Sequence, residues 1–183
     1  MRDLKLCSSP KNETEVEKIL KNRDFCIVAT QKPFSSLFSW VNSVSLTHGI
    51  KWTSCTVQGC IGLVGPTVIP RETPCYTCYQ MRKRSNLIHY EEFVDFEEYL
   101  KNHPESEKTY GALVNTLSLL ANLTVLEMVK LITGNGTTIT AGSQFSFDPL
   151  SLETEIHPIL KYFLTVKNKV IDNKKRTMKV WMQ

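Results

Sequence analysis

The sequence predicts an α/β fold whose partial Rossmann-like, mostly parallel sheet is extended by antiparallel strands. Apolar runs of strand length alternate with segments of helical period over the first 55 residues, an order typical of parallel βαβ units. A turn signal at Gln58-Gly59 between two further strand-like runs predicts a hairpin. The 183 residues are 42% hydrophobic and 22% charged, which indicates one globular domain and excludes collagen, coiled coil and wholesale disorder.

The first part of the chain predicts the order strand, helix, strand, helix, strand. Asn12 is suited to cap the first helix, and Gly49 is suited to end the second. The run Phe25–Thr30 is apolar up to its last residue, as in strands that are buried on both faces of a parallel sheet. The predicted elements are strand 4–7, helix 13–21, strand 25–30, helix 34–48 and strand 50–55.

The second part of the chain has a different order. A helix is predicted to start at Cys75, and seven acidic residues around apolar positions in 91–107 predict an amphipathic surface helix. Two closing strands are predicted over residues 136–148 and 152–157.

The strongest helix signal begins at Tyr110 and ends at Thr133, with Gly134 as its stop. Apolar residues cover nearly the whole circumference of this helix, so it is predicted to be buried inside the domain. A membrane span is the competing interpretation. It is disfavoured because Glu127 and Lys130 lie within the segment.

The net charge of +4 is unevenly distributed along the chain. From Lys161 onward there are seven basic residues and one acid, so the sequence predicts an α/β domain over residues 1–160 and a basic tail over 161–183. The tail lacks interleaved aromatic residues that would stack on bases, and nucleic acid is not expected as a partner. The N-terminus lacks the apolar stretch of a signal peptide, which predicts a cytoplasmic protein with reduced thiols.

Cys75 and Cys78 form the one spacing in the chain with a recognised chemistry. Two thiolates three residues apart can bind one zinc ion from one side, but structural zinc needs four ligands. The further candidates are Cys55, Cys60, His89, His103 and His157, and none completes a second metal-binding pair. A redox-active pair would require a helix N-terminus directly after a strand, and buried cysteines without chemistry are the third alternative.

Other motifs of catalysis or nucleotide binding are missing from the sequence. No glycine-rich phosphate loop and no nucleophile elbow is encoded. We therefore expect the isolated chain to bind no ATP. Composition and spacing alone predict a cytoplasmic α/β domain with half of a possible metal site.

Longer strings resemble a known family. Gly-Pro at 65–66 precedes Pro-Cys-x-x-Cys at 74–78, and Asp-Pro-Leu at 148–150 precedes His-Pro at 157–158. Over about residues 25–165 the chain resembles the ThiF-like (ubiquitin-activating-type) domain, in particular that of the cyclodehydratase partner proteins of thiazole/oxazole-modified bacteriocin biosynthesis. The resemblance implies a protein that recognises a precursor peptide and activates a YcaO-type cyclodehydratase, which consumes ATP.

The chain also departs from that family. The family's glycine-rich nucleotide loop would lie upstream of Met1, which implies truncation at the N-terminus. No acid stands at residues 30–33, where adenylating relatives carry an aspartate that helps to hold magnesium. Thr165 and Asn168 stand where the second zinc-binding cysteine pair is expected.

The sequence therefore predicts a non-catalytic ThiF-like scaffold or docking component of bacteriocin heterocyclisation. Its expected partners are a YcaO-type cyclodehydratase and a precursor peptide, with no membrane. Homo-oligomers are a further expectation, because a truncated sheet exposes strand edges. The alternatives are the C-terminal fragment of an ATP-dependent adenylating ThiF-family enzyme and an inactive remnant.

Overall fold

The computed structural model describes residues 5–7, 9–31, 36–103 and 111–161, and these form one five-stranded sheet with helices. The strands are β1 (Phe25–Thr30), β2 (Lys51–Gln58), β3 (Ile61–Val68), β4 (Ser143–Phe147) and β5 (Thr154–Pro158), and they lie side by side in chain order. The helices are α1 (Glu13–Leu20), α2 (Leu37–His48), α3 (Tyr76–Ser85), α4 (Tyr90–Asn102) and α5 (Val114–Thr133).

The sheet is mixed, which confirms the predicted α/β class and its antiparallel extension. The pair β1 and β2 is parallel, and each later pair is antiparallel. The expectation of a mostly parallel sheet therefore holds only for the first pair among the described residues. A parallel pair needs a crossover of a dozen or more residues. The helix α2 supplies one between β1 and β2, whereas β2 and β3 are joined by the predicted hairpin.

Two local predictions differ from the structure: the first predicted strand and the start of the second helix. Residues 5–7 form no strand, and Leu4 lies outside the described residues. The second helix begins at Leu37, a few residues later than predicted, and its last residue is His48. Gly49, which follows it, adopts the left-handed conformation with φ of 73° and ends the helix as predicted. Asn12 caps α1 as predicted, because its Oδ1 accepts a hydrogen bond from the Glu15 amide at 2.9 Å.

One face of the sheet is covered by α2 and α3 through an aromatic cluster. Trp52 of β2 is fully buried, and its ring lies 6.3 Å from Phe38 and 5.8 Å from Tyr76, measured between ring centroids. Phe38 of α2 and Tyr76 of α3 also contact each other at 5.4 Å. Val16 and Leu20 attach α1 to the same core. This cluster therefore joins three helices to the sheet.

The opposite face is covered by α5. Leu120 packs between Val57 of β2 and Val64 of β3, and all three are buried. A Cβ atom at Gly62 would lie 2.6 Å from Leu120, so α5 approaches β3 closely where the strand has no side chain. The architecture is three-layered, with helices on both faces of the sheet.

The prediction that the long helix is buried is wrong. The helix begins at Val114, later than predicted. Only 22% of its most apolar 18-residue stretch is buried inside the structure. One side of α5 packs on the sheet, and no described element covers the opposite side. We call that side the outer face of α5; its apolar residues are Leu119, Val125, Leu126, Val129 and Ile132, each 37–58% exposed, and Ser118 and Asn122 are exposed among them.

The helix α5 is also long and apolar enough to cross a bilayer, the single such helix in the described part of the chain. The core helix of a soluble protein passes the same test. In this fold α5 contacts the sheet through polar side chains as well as apolar ones, because Thr116, Thr124 and Glu127 are buried on its inner side.

Glu127 is the polar anchor of α5. Its Oε2 accepts hydrogen bonds from the amide of Thr140 at 2.9 Å and from the hydroxyl of Thr140 at 3.0 Å. Its Oε1 accepts one from Nζ of Lys130 at 2.8 Å. Burial alone would raise the pKa of this carboxyl, but the hydrogen bonds from Lys130 and Thr140 outweigh it and the pKa is lowered. The ionised carboxylate thus holds α5 to the loop before β4.

We predict that Glu127→Gln lowers the free energy of unfolding by about 1–3 kcal/mol at neutral pH. The neutral amide loses the ion pair with Lys130, and its NH2 group cannot accept a hydrogen bond from either Lys130 or Thr140. Because folding lowers the pKa of Glu127, the ionised carboxylate stabilises the folded state at pH values above the ordinary glutamate pKa. That stability is lost as the pH falls through the folded-state pKa. The difference between the two proteins should therefore shrink on acidification, and urea unfolding followed by circular dichroism measures it.

The control for this prediction is Glu91→Gln, which makes the same change at an exposed position of α4. We expect it to leave the unfolding free energy within about 0.5 kcal/mol of the parent. A loss in Glu127→Gln that stays constant between neutral and acidic buffers would contradict the role of the ionised carboxylate.

Candidate functional site

The candidate site lies at the N-terminus of α3, where the structure brings Cys75 and Cys78 together. Cys75 is the N-cap residue of the helix, and Cys78 lies in its first turn. Their sulfur atoms are 3.7 Å apart. Cys75 is partly exposed, whereas Cys78 is 5% exposed. The two thiols therefore differ in access to solvent although they are in contact.

The first turn of α3 is held in place by neighbouring elements. Asn42 of α2 is buried, its Oδ1 accepts a hydrogen bond from the Tyr76 amide at 2.9 Å, and its Nδ2 donates to Oγ1 of Thr77 at 3.4 Å. Before the helix, Oγ1 of Thr73 accepts a hydrogen bond from the Ile69 amide at 2.8 Å, which folds the connection from β3. The amide of Asn42 thus satisfies one of the free N–H groups that every helix start leaves.

The thiols of the chain have different pKa values because their surroundings differ. Burial raises the pKa of Cys75, but hydrogen bonds from Cys78 and Thr77 outweigh it, and the pKa is lowered. Burial and the nearby thiol of Cys7 raise the pKa of Cys26 to about 11, and burial also raises that of Cys55. A thiolate is the nucleophile and the metal ligand, so the reactive thiol of this set is Cys75.

The predicted additional zinc ligands do not join the pair. Cys55 packs on the opposite face of the sheet beside Leu120, and Cys60 is exposed in the hairpin turn. His157 of β5 contacts Ser146 of β4. His89 and His103 lie at the two ends of α4. Every cysteine and histidine of the chain is in the described residues, and these contain no group of three potential metal ligands. The donor set stops at two thiols and does not fit a four-ligand zinc site.

A small cleft of mixed polar and apolar lining, which includes Phe38 and Leu63, lies between the sheet and the helix α3 that carries the cysteine pair. Four side chains of α3 face alternate residues of β2, where the strand carries Ser, Thr and Gln at every second position. Nε2 of Gln144 in β4 donates to the hydroxyl of Tyr79 at 2.9 Å, and burial raises the pKa of Tyr79. The lining residues include Tyr76, Tyr79, Gln80, Lys83, Ser54, Thr56, Gln58 and Gln144.

This cleft can form hydrogen bonds but has no carboxylate or thiol among its lining residues. Oε1 of Gln80 is buried there without a hydrogen-bond partner in the described structure. Sequence reasoning did not predict the cleft. The alternation of polar residues at 54, 56 and 58 within β2 was the available signal, since it indicates a strand face that meets polar groups.

Two further surfaces of the domain are uncovered. The outer face of α5 is apolar over its C-terminal half and includes the exposed polar residues Ser118 and Asn122 in its N-terminal half, and β5 is the last strand of the described sheet with all five of its residues exposed. The described residues place no strand beyond β5. An apolar helix face and a free strand edge are both features that proteins use to bind partners.

Comparison with known proteins places this fold in a family. Residues 3–163 match the ThiF family, and no curated protein sequence matches significantly. The solved structure of Escherichia coli MccB is similar, with a TM-score of 0.67 and 17% identity over 94% of this chain and 45% of MccB. A structure described as a heterocyclase in complex with substrate and cofactor has a TM-score of 0.61 and 17% identity, over 81% of this chain and 21% of that one.

The chain spans less than half the length of these solved structures. Their identity to it is low, so the likeness establishes a shared fold and no more. The family match covers most of the chain and is independent of that likeness. The chain belongs to the ThiF family.

Proposed function

We propose that this chain is a non-catalytic docking component of ribosomal peptide maturation, in which a YcaO-type cyclodehydratase forms thiazole and oxazole rings on a precursor peptide. Support comes from the ThiF family and from the nature of the structural relatives. One relative is a heterocyclase in complex with substrate, and MccB is a biosynthetic enzyme solved in complex with the peptide MccA.

The observation that carries the docking role is the outer face of α5. Five apolar side chains are lined up on one side of this helix, and each is at least 37% exposed. The inner side of the same helix is fixed to the sheet by Leu120 and Glu127. A rigid helix that presents an apolar face loses little conformational entropy when a partner binds. The proposed partner on this face is the cyclodehydratase.

A second candidate is the C-terminal part of an ATP-dependent adenylating enzyme. The likeness to MccB, which has been solved with ATP, favours it. Against it, the sequence carries no glycine-rich phosphate loop. The pair Cys75 and Cys78 lies at a helix start, but thiols are not phosphate-binding groups.

We predict that Val129→Asp weakens binding of a YcaO-type cyclodehydratase by at least about tenfold, equivalent to about 1.4 kcal/mol. The reason is that a charge in the middle of an apolar contact must lose its hydration. Isothermal titration of the purified proteins, with and without the precursor peptide, measures the effect.

The matched control is Ile88→Asp, the same type of change at a 94% exposed apolar residue on the connection between α3 and α4. It should bind as the parent does. The docking role is wrong if the parent chain forms no complex, or if Val129→Asp binds equally well. It is also wrong if Val129→Asp only converts a homodimer of this chain into monomers.

We predict that the chain binds ATP with magnesium more weakly than about 1 mM, or roughly −4 kcal/mol, because no phosphate loop is encoded. Titration calorimetry with the same purified protein tests this. Tighter binding would favour the adenylating alternative over the docking role.

We expect much less than one zinc ion per chain in protein purified under reducing conditions, because the donor set is two thiols. Elemental analysis of the parent and of Cys75→Ser measures this. One zinc per chain that Cys75→Ser removes would show that ligands outside this set complete the site.

A further inference from the structure

The ThiF-like resemblance implies zinc at the cysteine pair, and the structure disagrees with that expectation. Two thiols are in contact, with sulfur atoms 3.7 Å apart, but the remaining cysteines and histidines of the chain lie elsewhere in the described fold. The geometry of the pair therefore favours a reaction of the two thiols with each other over zinc binding. Thiols in contact need only a change of side-chain rotamer to reach bonding distance, because the Cys-x-x-Cys spacing already places their Cα atoms within disulfide range.

The position of the pair in the fold favours one thiol as nucleophile. Cys75 stands at the start of a ten-residue helix, where free backbone N–H groups and the helix dipole stabilise a thiolate. Residues 69–74 separate it from β3, so the pair does not directly follow a strand, and the helix start itself supplies the stabilisation. It is also the partly exposed member, whereas Cys78 is buried behind it. An attacking thiol that is accessible and a resolving thiol that is shielded are what dithiol chemistry requires.

We propose that Cys75 and Cys78 form a redox-active dithiol that is reversibly oxidised to a disulfide by low-molecular-weight disulfides such as oxidised glutathione. This inference rests on the geometry of α3 and is independent of the proposed docking role.

The reaction proceeds in two balanced steps. Cys75, having released its proton to solvent, attacks one sulfur of the glutathione disulfide, and a mixed disulfide forms while one glutathione thiolate leaves and is protonated. Cys78 then loses its proton and attacks Sγ of Cys75, which releases the second glutathione. Two protein thiols are oxidised to one disulfide, and one glutathione disulfide is reduced to two thiols.

The surroundings of the pair permit this change without unfolding of the domain. The helix is anchored at the same turn by Asn42, whose Oδ1 accepts from the Tyr76 amide, and by the Tyr76 ring in the aromatic cluster. The other thiols are less suited to the reaction. Cys26 and Cys55 lie in different strands, each in contact with a different core cluster, and Cys60 is alone in its turn. Cys7 is exposed near Cys26, but burial and the nearby Cys7 raise the pKa of Cys26 to about 11, so Cys26 is poorly ionised as an attacking or resolving thiol.

The test uses the full chain with a metal chelator in oxidised glutathione, followed by acid quenching, alkylation of free thiols and peptide mass spectrometry. We expect an intramolecular disulfide between Cys75 and Cys78 that reduced glutathione reverses. In Cys78→Ser we expect glutathione to stay attached to Cys75, because no resolving thiol is present. In Cys75→Ser we expect Cys78 to remain unmodified, and Cys60→Ser should behave as the parent.

Three outcomes would overturn the inference. Both thiols of the folded parent protein could remain free in oxidised glutathione. Glutathione could attach to Cys60 in preference to Cys75. One zinc ion per chain could protect both thiols from alkylation before the chelator is added. The first two readouts need no variant, so they decide the question even if a serine substitution unfolds the domain, which circular dichroism checks.

Discussion

The aromatic packing of Trp52 against Phe38 and Tyr76 is the contact on which the candidate site depends. Trp52 is completely buried in β2, and the two rings that meet it belong to α2 and α3. Aromatic side chains bury a large apolar area, and their mutual orientation is specific. Tyr76 immediately follows Cys75, so the ring that anchors α3 also determines where the cysteine pair lies.

Hydrogen bonds add direction to that packing. Asn42 is on the same helix as Phe38, and its side chain binds both the Tyr76 amide and the Thr77 hydroxyl. Apolar contact alone would tolerate small rotations of α3, whereas a buried amide with two partners does not, because an unsatisfied buried group is costly. The aromatic packing and the Asn42 hydrogen bonds together fix the N-terminus of α3. A fixed N-terminus keeps the two thiols in contact.

The two faces of the sheet are covered by different helices and carry different features. The face under α2 and α3 is closed by aromatic packing and contains the dithiol and the small cleft. The other face is closed by one side of α5, with Glu127 as its polar anchor, and no described element covers the outer face of that helix. The proposed docking and the proposed redox chemistry therefore use opposite sides of the domain and can be separated by single substitutions.

The sequence by itself determined the local elements and their ends. The strand Phe25–Thr30 was predicted with its observed bounds, and Gly49 and Gly134 end their helices in the left-handed conformation as expected. These features depend on backbone preference and on periodicity within a few residues, which a single sequence contains. The α/β class follows from their order along the chain.

The tertiary structure decided the direction of strand pairing, the exposure of α5 and which side chains lie near each cysteine. An apolar residue looks the same in sequence whether the chain covers it or leaves it to a partner, so the outer face of α5 was taken as core. The cleft depends on Gln144 of β4 reaching Tyr79 of α3, residues far apart in the chain. Whether Cys55 or His157 reaches Cys75 is likewise a matter of distances across the fold, and spacing along a sequence does not contain them.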